Sequence, residues 1–132
     1  MITGFQRITI VRIREPERAL NLELQWFSRS LGLFSERDKE RSCFRLFVEL
    51  LRAKRPLSSD ELAYTLRLSR ATVIHHLNKL IASGLVVIDN GKYTLRGRNL
   101  ETTLKKLKVE VFSAYDELEE MGREIDKKLH RD

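Results

Sequence analysis

Leu100, Leu104, Leu107, Val111, Ala114, Leu118, Met121 and Ile125 follow one another at alternating steps of four and three, which draws one unbroken apolar line along a helix. A helix over residues 99–130 would span roughly 45 Å at about 1.5 Å per residue, more than one small body can cover. The line therefore calls for a partner, and a second copy of the chain is the simplest one; the alternative is a helix folded back on its own body, and the two contacts can coexist. A homodimer is expected through these eight residues, supported by Leu20, Leu24 and Phe27 of an earlier helix. Glu110, Glu117 and Glu124 occupy one flanking line with no matching line of lysines, so parallel and antiparallel pairing both stay open. Val109 and Phe112 make a second apolar patch, expected to meet the first helix.

The 98 residues ahead of that helix decide what such a dimer would carry. Hydrophobic residues make up 42% and charged residues 33% of the chain, enough for a modest core under a well-solvated surface, which excludes disorder as the main theme. The longest apolar run, Leu85 to Ile88, is far short of the roughly 18 residues of a membrane-spanning helix. Arg7, Arg12 and Arg14 stand where a secretory leader would be apolar, so none is expected. The single Cys43 excludes an intrachain disulfide and a zinc site built from several cysteines, and a cytoplasmic location is the default expectation.

Charge is unevenly spread. Residues 1–35 hold five basic and three acidic groups, residues 36–98 hold thirteen and seven, and residues 99–132 hold seven and nine. The net charge of +6 is thus concentrated in the middle, and three units are expected: an arm and first helix (1–35), a basic domain (36–98) and the long helix (99–132).

Gln6 to Arg14 mixes β-branched residues with arginines and suits either an exposed edge strand or an ordered arm. Pro16 fits the first turn of a helix predicted over 16–31, with Leu20, Leu24, Phe27 and Leu31 on one face and Leu22 and Trp26 on a second line. Ser35 is placed to cap a second helix with Glu36 and Asp38 in its first turn, an apolar stripe of Phe44, Phe47, Val48 and Leu51, and an end marked by Lys54, Arg55 and Pro56. Ser58 and Glu61 have capping-box spacing ahead of a short third helix carrying Leu62, Ala63 and Leu66. Ser69 then caps a fourth, whose Val73, Leu77, Leu80 and Ile81 follow the 3.6-residue period. Gly84 closes it. The run from Leu85 to Ile88 reads as a strand, Asn90 and Gly91 as a tight hairpin turn, and Lys92 to Arg96 as the returning strand, with Tyr93 and Leu95 on one face.

Helix, helix, tight turn, helix and hairpin is the order of a winged helix-turn-helix. The segment from Leu57 to Arg96 resembles the winged-helix bacterial and archaeal transcription regulators of the ArsR and MarR type. The resemblance rests on Ser58 with Glu61, Leu62 and Ala63; Leu68 and Ser69; Thr72 and Val73; His76 and Leu77; Leu80; and Ser83, Gly84, Leu85 and Val86. It implies a mainly α fold with a small β-hairpin wing and a long C-terminal dimerisation helix. Many members dimerise through terminal helices.

The fourth helix has a side suited to a DNA groove. With Val73 set at 0° and steps of about 100°, Leu77, Leu80 and Ile81 fall within about 80° of it, which leaves Ala71, Thr72, His75, Asn78 and Lys79 opposite the core. No carboxylate stands there, and hydroxyl, imidazole, amide and ammonium groups match the donors and acceptors of the major groove. The bland reading is a solvated face. Arg70 is either a phosphate or guanine contact or a surface cation; Ile74 either meets a thymine methyl or completes the core. Ser58, Ser59 and Ser69 are helix caps that also lie where phosphate oxygens bind helix ends. Asn90, Lys92, Arg96 and Arg98 surround the wing turn and are candidates for the adjacent backbone or minor groove. About six phosphate contacts would weaken binding on the order of a thousandfold between 50 and 200 mM salt.

The function expected is that of a sequence-specific double-stranded DNA-binding transcription regulator acting as a homodimer, with no cofactor and no membrane association. No P-loop, dinucleotide-binding turn or nucleophile elbow is present, and catalysis is not expected. Two rivals remain. One is a metal-sensing ArsR-type repressor, against which Cys43 stands alone and His75 and His76 project about 100° apart. The other is a winged helix serving as a protein-interaction module.

Overall fold

Short-range capping chemistry sets most of the element boundaries. In the computed structural model, which describes residues 5–33, 38 and 41–130, the chain forms α1 (Leu20–Ser30), α2 (Ser42–Ala53), α3 (Ser59–Leu66), α4 (Arg70–Ala82), β1 (Val86–Asp89), β2 (Lys92–Leu95) and α5 (Leu100–Leu129). The fold is mainly helical with one antiparallel hairpin and a long C-terminal helix, the winged helix-turn-helix arrangement. No helix among the described residues is long and apolar enough to cross a membrane.

Ser58 accepts the Glu61 N–H at 3.0 Å and starts α3. The Glu61 carboxylate pairs with Arg55 at 3.0 Å, so the capping box is filled from one side only. Ser69 accepts the Thr72 N–H at 3.1 Å and starts α4, and Asn99 does the same for α5 through the Thr102 N–H at 2.8 Å. Between α3 and α4 the chain reverses on Arg67, a non-glycine residue at φ 56°, with the Leu68 N–H bonded to the Ala63 carbonyl at 3.0 Å. Asn90 and Gly91, at φ 52° and 74°, make the hairpin turn that pairs Asp89 with Lys92 and Val86 with Leu95. Leu57 adds one bridge to Tyr93 through two backbone hydrogen bonds of 2.8 and 2.7 Å, which fastens the wing to the chain entering α3.

Two expected boundaries shift. The first helix begins at Leu20, four residues after Pro16, because the chain before it stays extended, with the Trp26 indole donating to the Ile13 carbonyl at 3.1 Å. The second begins at Ser42; Ser35 and Glu36 lie outside the described residues. Asp38 is not in its first turn but ahead of it, where its two carboxylate oxygens accept the Ser42 and Cys43 N–H groups, both at 2.9 Å. The second helix also faces the core with Cys43, Leu46, Phe47 and Leu50, while Phe44, Val48 and Leu51 are half-buried, so the expected stripe is rotated toward its neighbour. Gln6 to Arg14 forms an ordered arm and pairs with no strand.

The core lies between α2, α3, α4 and the wing. Leu46, Phe47, Leu62, Val73, Leu77 and Leu80 have no solvent exposure, and each such side chain contributes about 1.5–3 kcal/mol on burial. Phe27 of α1 stacks on Phe47, ring centroids 5.9 Å apart. Leu100, Leu104 and Leu107 of α5 close the other side.

Candidate nucleic-acid interface

Burial of one side of α4 decides what its other side offers. Val73, Leu77 and Leu80 are fully inside, and Ala71, His75 and Asn78 are exposed on the opposite side. Thr72 and Lys79 are half-buried at the flanks rather than central. The Thr72 hydroxyl oxygen accepts the Ser69 hydroxyl at 2.8 Å, so both side chains belong to the cap of α4. Ile74 packs against the core cluster, which leaves it less surface for a ligand than the sequence allowed. Ser58 and Ser59 are half-buried at the start of α3.

No carboxylate stands on the exposed side of α4, yet one approaches its start. Asp60 of α3 lies 3.8 Å from Arg70, both largely exposed, a spacing that contributes little to stability. The sequence did not point to this pairing, because it joins two helices across their turn. Tyr64, fully projecting from α3 beside that turn, is another exposed group the periodicity did not single out.

At the wing, Asn90 and Lys92 are exposed at the tip and Arg98 is exposed beyond β2. Arg96 corrects the expectation. Its guanidinium donates twice to the Glu110 carboxylate, with the Nη1–Oε2 bond at 2.8 Å, so it joins the wing to α5 instead of facing outward. That hydrogen bond raises the Arg96 pKa and holds the Glu110 carboxyl below its usual range.

Beneath the exposed side of α4 lies a polar cluster. His76 is buried, with its Nε2 3.9 Å from the Asp38 carboxylate and its Nδ1 without a hydrogen-bond partner. Burial lowers the His76 pKa; Asp38 opposes that, while His75 and Lys79 reinforce it. Asp38 is raised by burial but ends lowered overall, because the Cys43 and Ser42 N–H groups and His76 favour its charged form. Burial also pushes the Cys43 thiol up to about 11, a small inert group of the core. Among the described residues no group of three or more His, Cys, Asp or Glu is placed to hold a metal ion.

The long apolar line of α5 splits in two. Leu107 is 5% exposed and, with half-buried Leu100 and Leu104, packs on the protomer's own core, as Phe27 does from α1. These four were expected at a partner; the structure buries Leu107 in its own protomer and packs the other three against the same core while leaving them half-buried, because the first turns of α5 cover the open side of the winged domain. Val111 and Ala114 are half-buried, and Leu118, Met121 and Ile125 are exposed, joined by Phe112, Tyr115 and Leu129. Val111, Phe112, Tyr115 and Asp116 line a hollow of about 320 Å³. Val109 and Phe112, expected to rest on the first helix, are both exposed; Lys108 lies over the Phe112 ring at 5.5 Å. Leu20 is exposed and Leu24 half-buried.

No curated protein and no solved structure matches the chain. Residues 40–89 match the family described as helix-turn-helix domain, a span running from just before α2 to the end of β1. The match agrees with the helix-turn-helix arrangement of α3 and α4, and β2, just beyond the matched span, completes the hairpin.

Proposed function

We propose that the chain is a sequence-specific double-stranded DNA-binding transcription regulator of the ArsR and MarR type, acting as a homodimer, with α4 in the major groove and the wing on the adjacent backbone. One observation carries this reading: Ala71, His75 and Asn78 form an exposed line free of carboxylates on α4, and the exposed Asn90 and Lys92 stand at the tip of the wing. A small residue, an imidazole and an amide suit thymine methyls and base edges, and the helix ends at Ser58 and Ser69 suit phosphates. Arg98 and Arg70 supply further cations; Arg96 does not.

The dimer reading is supported by the distal half of α5. Leu118, Met121, Ile125 and Leu129 are all about half exposed or more, a continuous apolar face of the kind that marks an interaction surface. Pairing of that half would present two copies of α4, as two-fold DNA sites require.

Selection of bound duplexes from a random pool, followed by binding of the selected sequence to a His75→Ala/Asn78→Ala variant, tests the reading. Both side chains are exposed, so the fold is retained. Loss of a good base contact costs about 1–3 kcal/mol, and the variant should fall at least tenfold in preference for the selected sequence over random duplex. Equal preference in wild type and variant would refute a reading role for α4.

A further inference from the structure

The first described residues of the chain lie across the end of α4. The Gln6 and Arg7 N–H groups both donate to the Ala82 carbonyl, at 2.7 and 3.0 Å. That oxygen is one of the carbonyls a helix leaves unpaired in its last turn. Ala82, half-buried, continues the direction of the exposed line: with Val73 at 0°, Ala71, His75, Asn78 and Ala82 fall at about 160°, 200°, 140° and 180°. Where the outward face of α4 ends, the arm takes over.

The arm is fastened on its inner side. Phe5 and Ile8 pack against the core cluster on either side of Gln6 and Arg7, the Val11 N–H bonds to the Ser30 carbonyl at 2.7 Å, and Ile13 receives the Trp26 indole. Gln6, Arg7, Arg12 and Arg14 are exposed, and among the described residues no carboxylate pairs with the three arginines. The first fourteen residues contain no Asp or Glu at all. Acids begin at Glu15, which Arg18 neutralises at 2.8 Å. Three exposed guanidiniums without a partner among the described residues, on an extended, pinned segment that starts at the end of α4, suit a polyanion; each guanidinium can bind a phosphate with two donors.

The geometry points to the arm as part of the nucleic-acid interface: Arg7, Arg12 and Arg14 bind backbone phosphates of the duplex beyond the C-terminal end of α4. This rests on the DNA-binding reading above and adds a contact surface to it.

The test is the salt dependence of binding to a fluorescent random-sequence duplex, read by anisotropy between about 50 and 200 mM KCl. Each phosphate contact contributes about 0.9 to the slope of log affinity against log salt, so Arg7→Gln should lower the slope by about 0.9 and the triple Arg7→Gln/Arg12→Gln/Arg14→Gln variant by about 2.7. The thermal midpoint should not change, since the side chains have no partners among the described residues. A control with the same loss of charge, Arg123→Gln/Lys127→Gln/Lys128→Gln at the far end of α5, should keep the wild-type slope. The inference is overturned if wild type binds and the arm variant keeps its slope, or if the distal control loses as much. If wild type binds no duplex even at about 50 mM salt, the DNA reading itself falls and the arm's role with it.

Discussion

Arg96, just past the end of β2, closes over Glu110, which stands ten residues into α5, and the pair ties the wing to the long helix. Both side chains are mostly shielded from solvent, at 20% and 26% exposure. A wing held this way cannot tilt independently of α5, so the separation of the two wings in a dimer would be set by how the long helices pair. The same contact removes one cation from the expected DNA-facing set.

Glu110→Gln should destabilise the protomer by about 1–2 kcal/mol at neutral pH, because it leaves a partly buried guanidinium without its counter-charge. The hydrogen bond from Arg96 holds the folded-state Glu110 pKa below the ordinary 4.5, with burial opposing it. A depressed carboxyl pKa contributes stability that is full above the unfolded value and is lost as pH falls through the folded value. Urea midpoints should therefore drop on acidification below 4.5 in wild type and drop less in the variant. Parallel acid profiles for the two proteins would contradict the role assigned to the pair.

Asp38→Ala should cost about 1–2 kcal/mol, since both N–H groups that it caps at the start of α2 lose their acceptor. Chemical denaturation monitored by far-ultraviolet circular dichroism measures this directly; a change within error would mean that water replaces the carboxylate without loss.

His76 should make the folded state sensitive to mild acid. Its pKa is lowered chiefly by burial, so the unfolded chain takes up the proton first as pH falls below 6.5, and folding loses stability from there downward. His76→Gln removes that titration. Its stability should be flatter than wild type between neutral pH and the carboxylate range, and an unchanged pH profile would dismiss the imidazole as the source.

Gly84 sits at φ 81° where α4 turns into the wing, and a Cβ there would meet Leu107 Cδ2 within contact distance and Phe5 Cβ at 3.1 Å. Gly84→Ala should lower stability by about 1–3 kcal/mol, combining left-handed backbone strain with overpacking. Gly91 is also left-handed, at φ 74°, but its Cβ direction is open, so Gly91→Ala should cost less. Thermal midpoints of the two variants give the comparison, and equal losses would remove the packing contribution.

Leu107→Lys and Leu118→Lys should behave differently although both lie on one heptad line. Leu107 is 5% exposed inside the protomer, and a lysine there should unfold the domain. Leu118 is 68% exposed, so Leu118→Lys should keep the circular dichroism of α5's own domain and lower the mass in solution. An ultracentrifugation mass equal to that of wild type would argue against pairing through this face.

Most of the local architecture was legible in residue order, because it depends on interactions a few residues long. The caps at Ser58 and Ser69, the reversal at Asn90 and Gly91, the buried side of α4 and the extent of α5 all follow from hydrogen bonds or periodicity within a turn or two. Periodicity states that a side chain favours an apolar neighbour, but not which neighbour covers it. For that reason only the folded chain decided that Leu100, Leu104 and Leu107 close their own core while Leu118, Met121 and Ile125 stay open. Charge patterning has the same limit: Arg96 and Glu110 are fourteen residues apart, and their pairing exists only because the wing folds back onto α5. The joining of the arm to Ala82, across more than seventy residues of chain, likewise needed the tertiary structure, since no spacing in the sequence brings Arg7 to the end of α4.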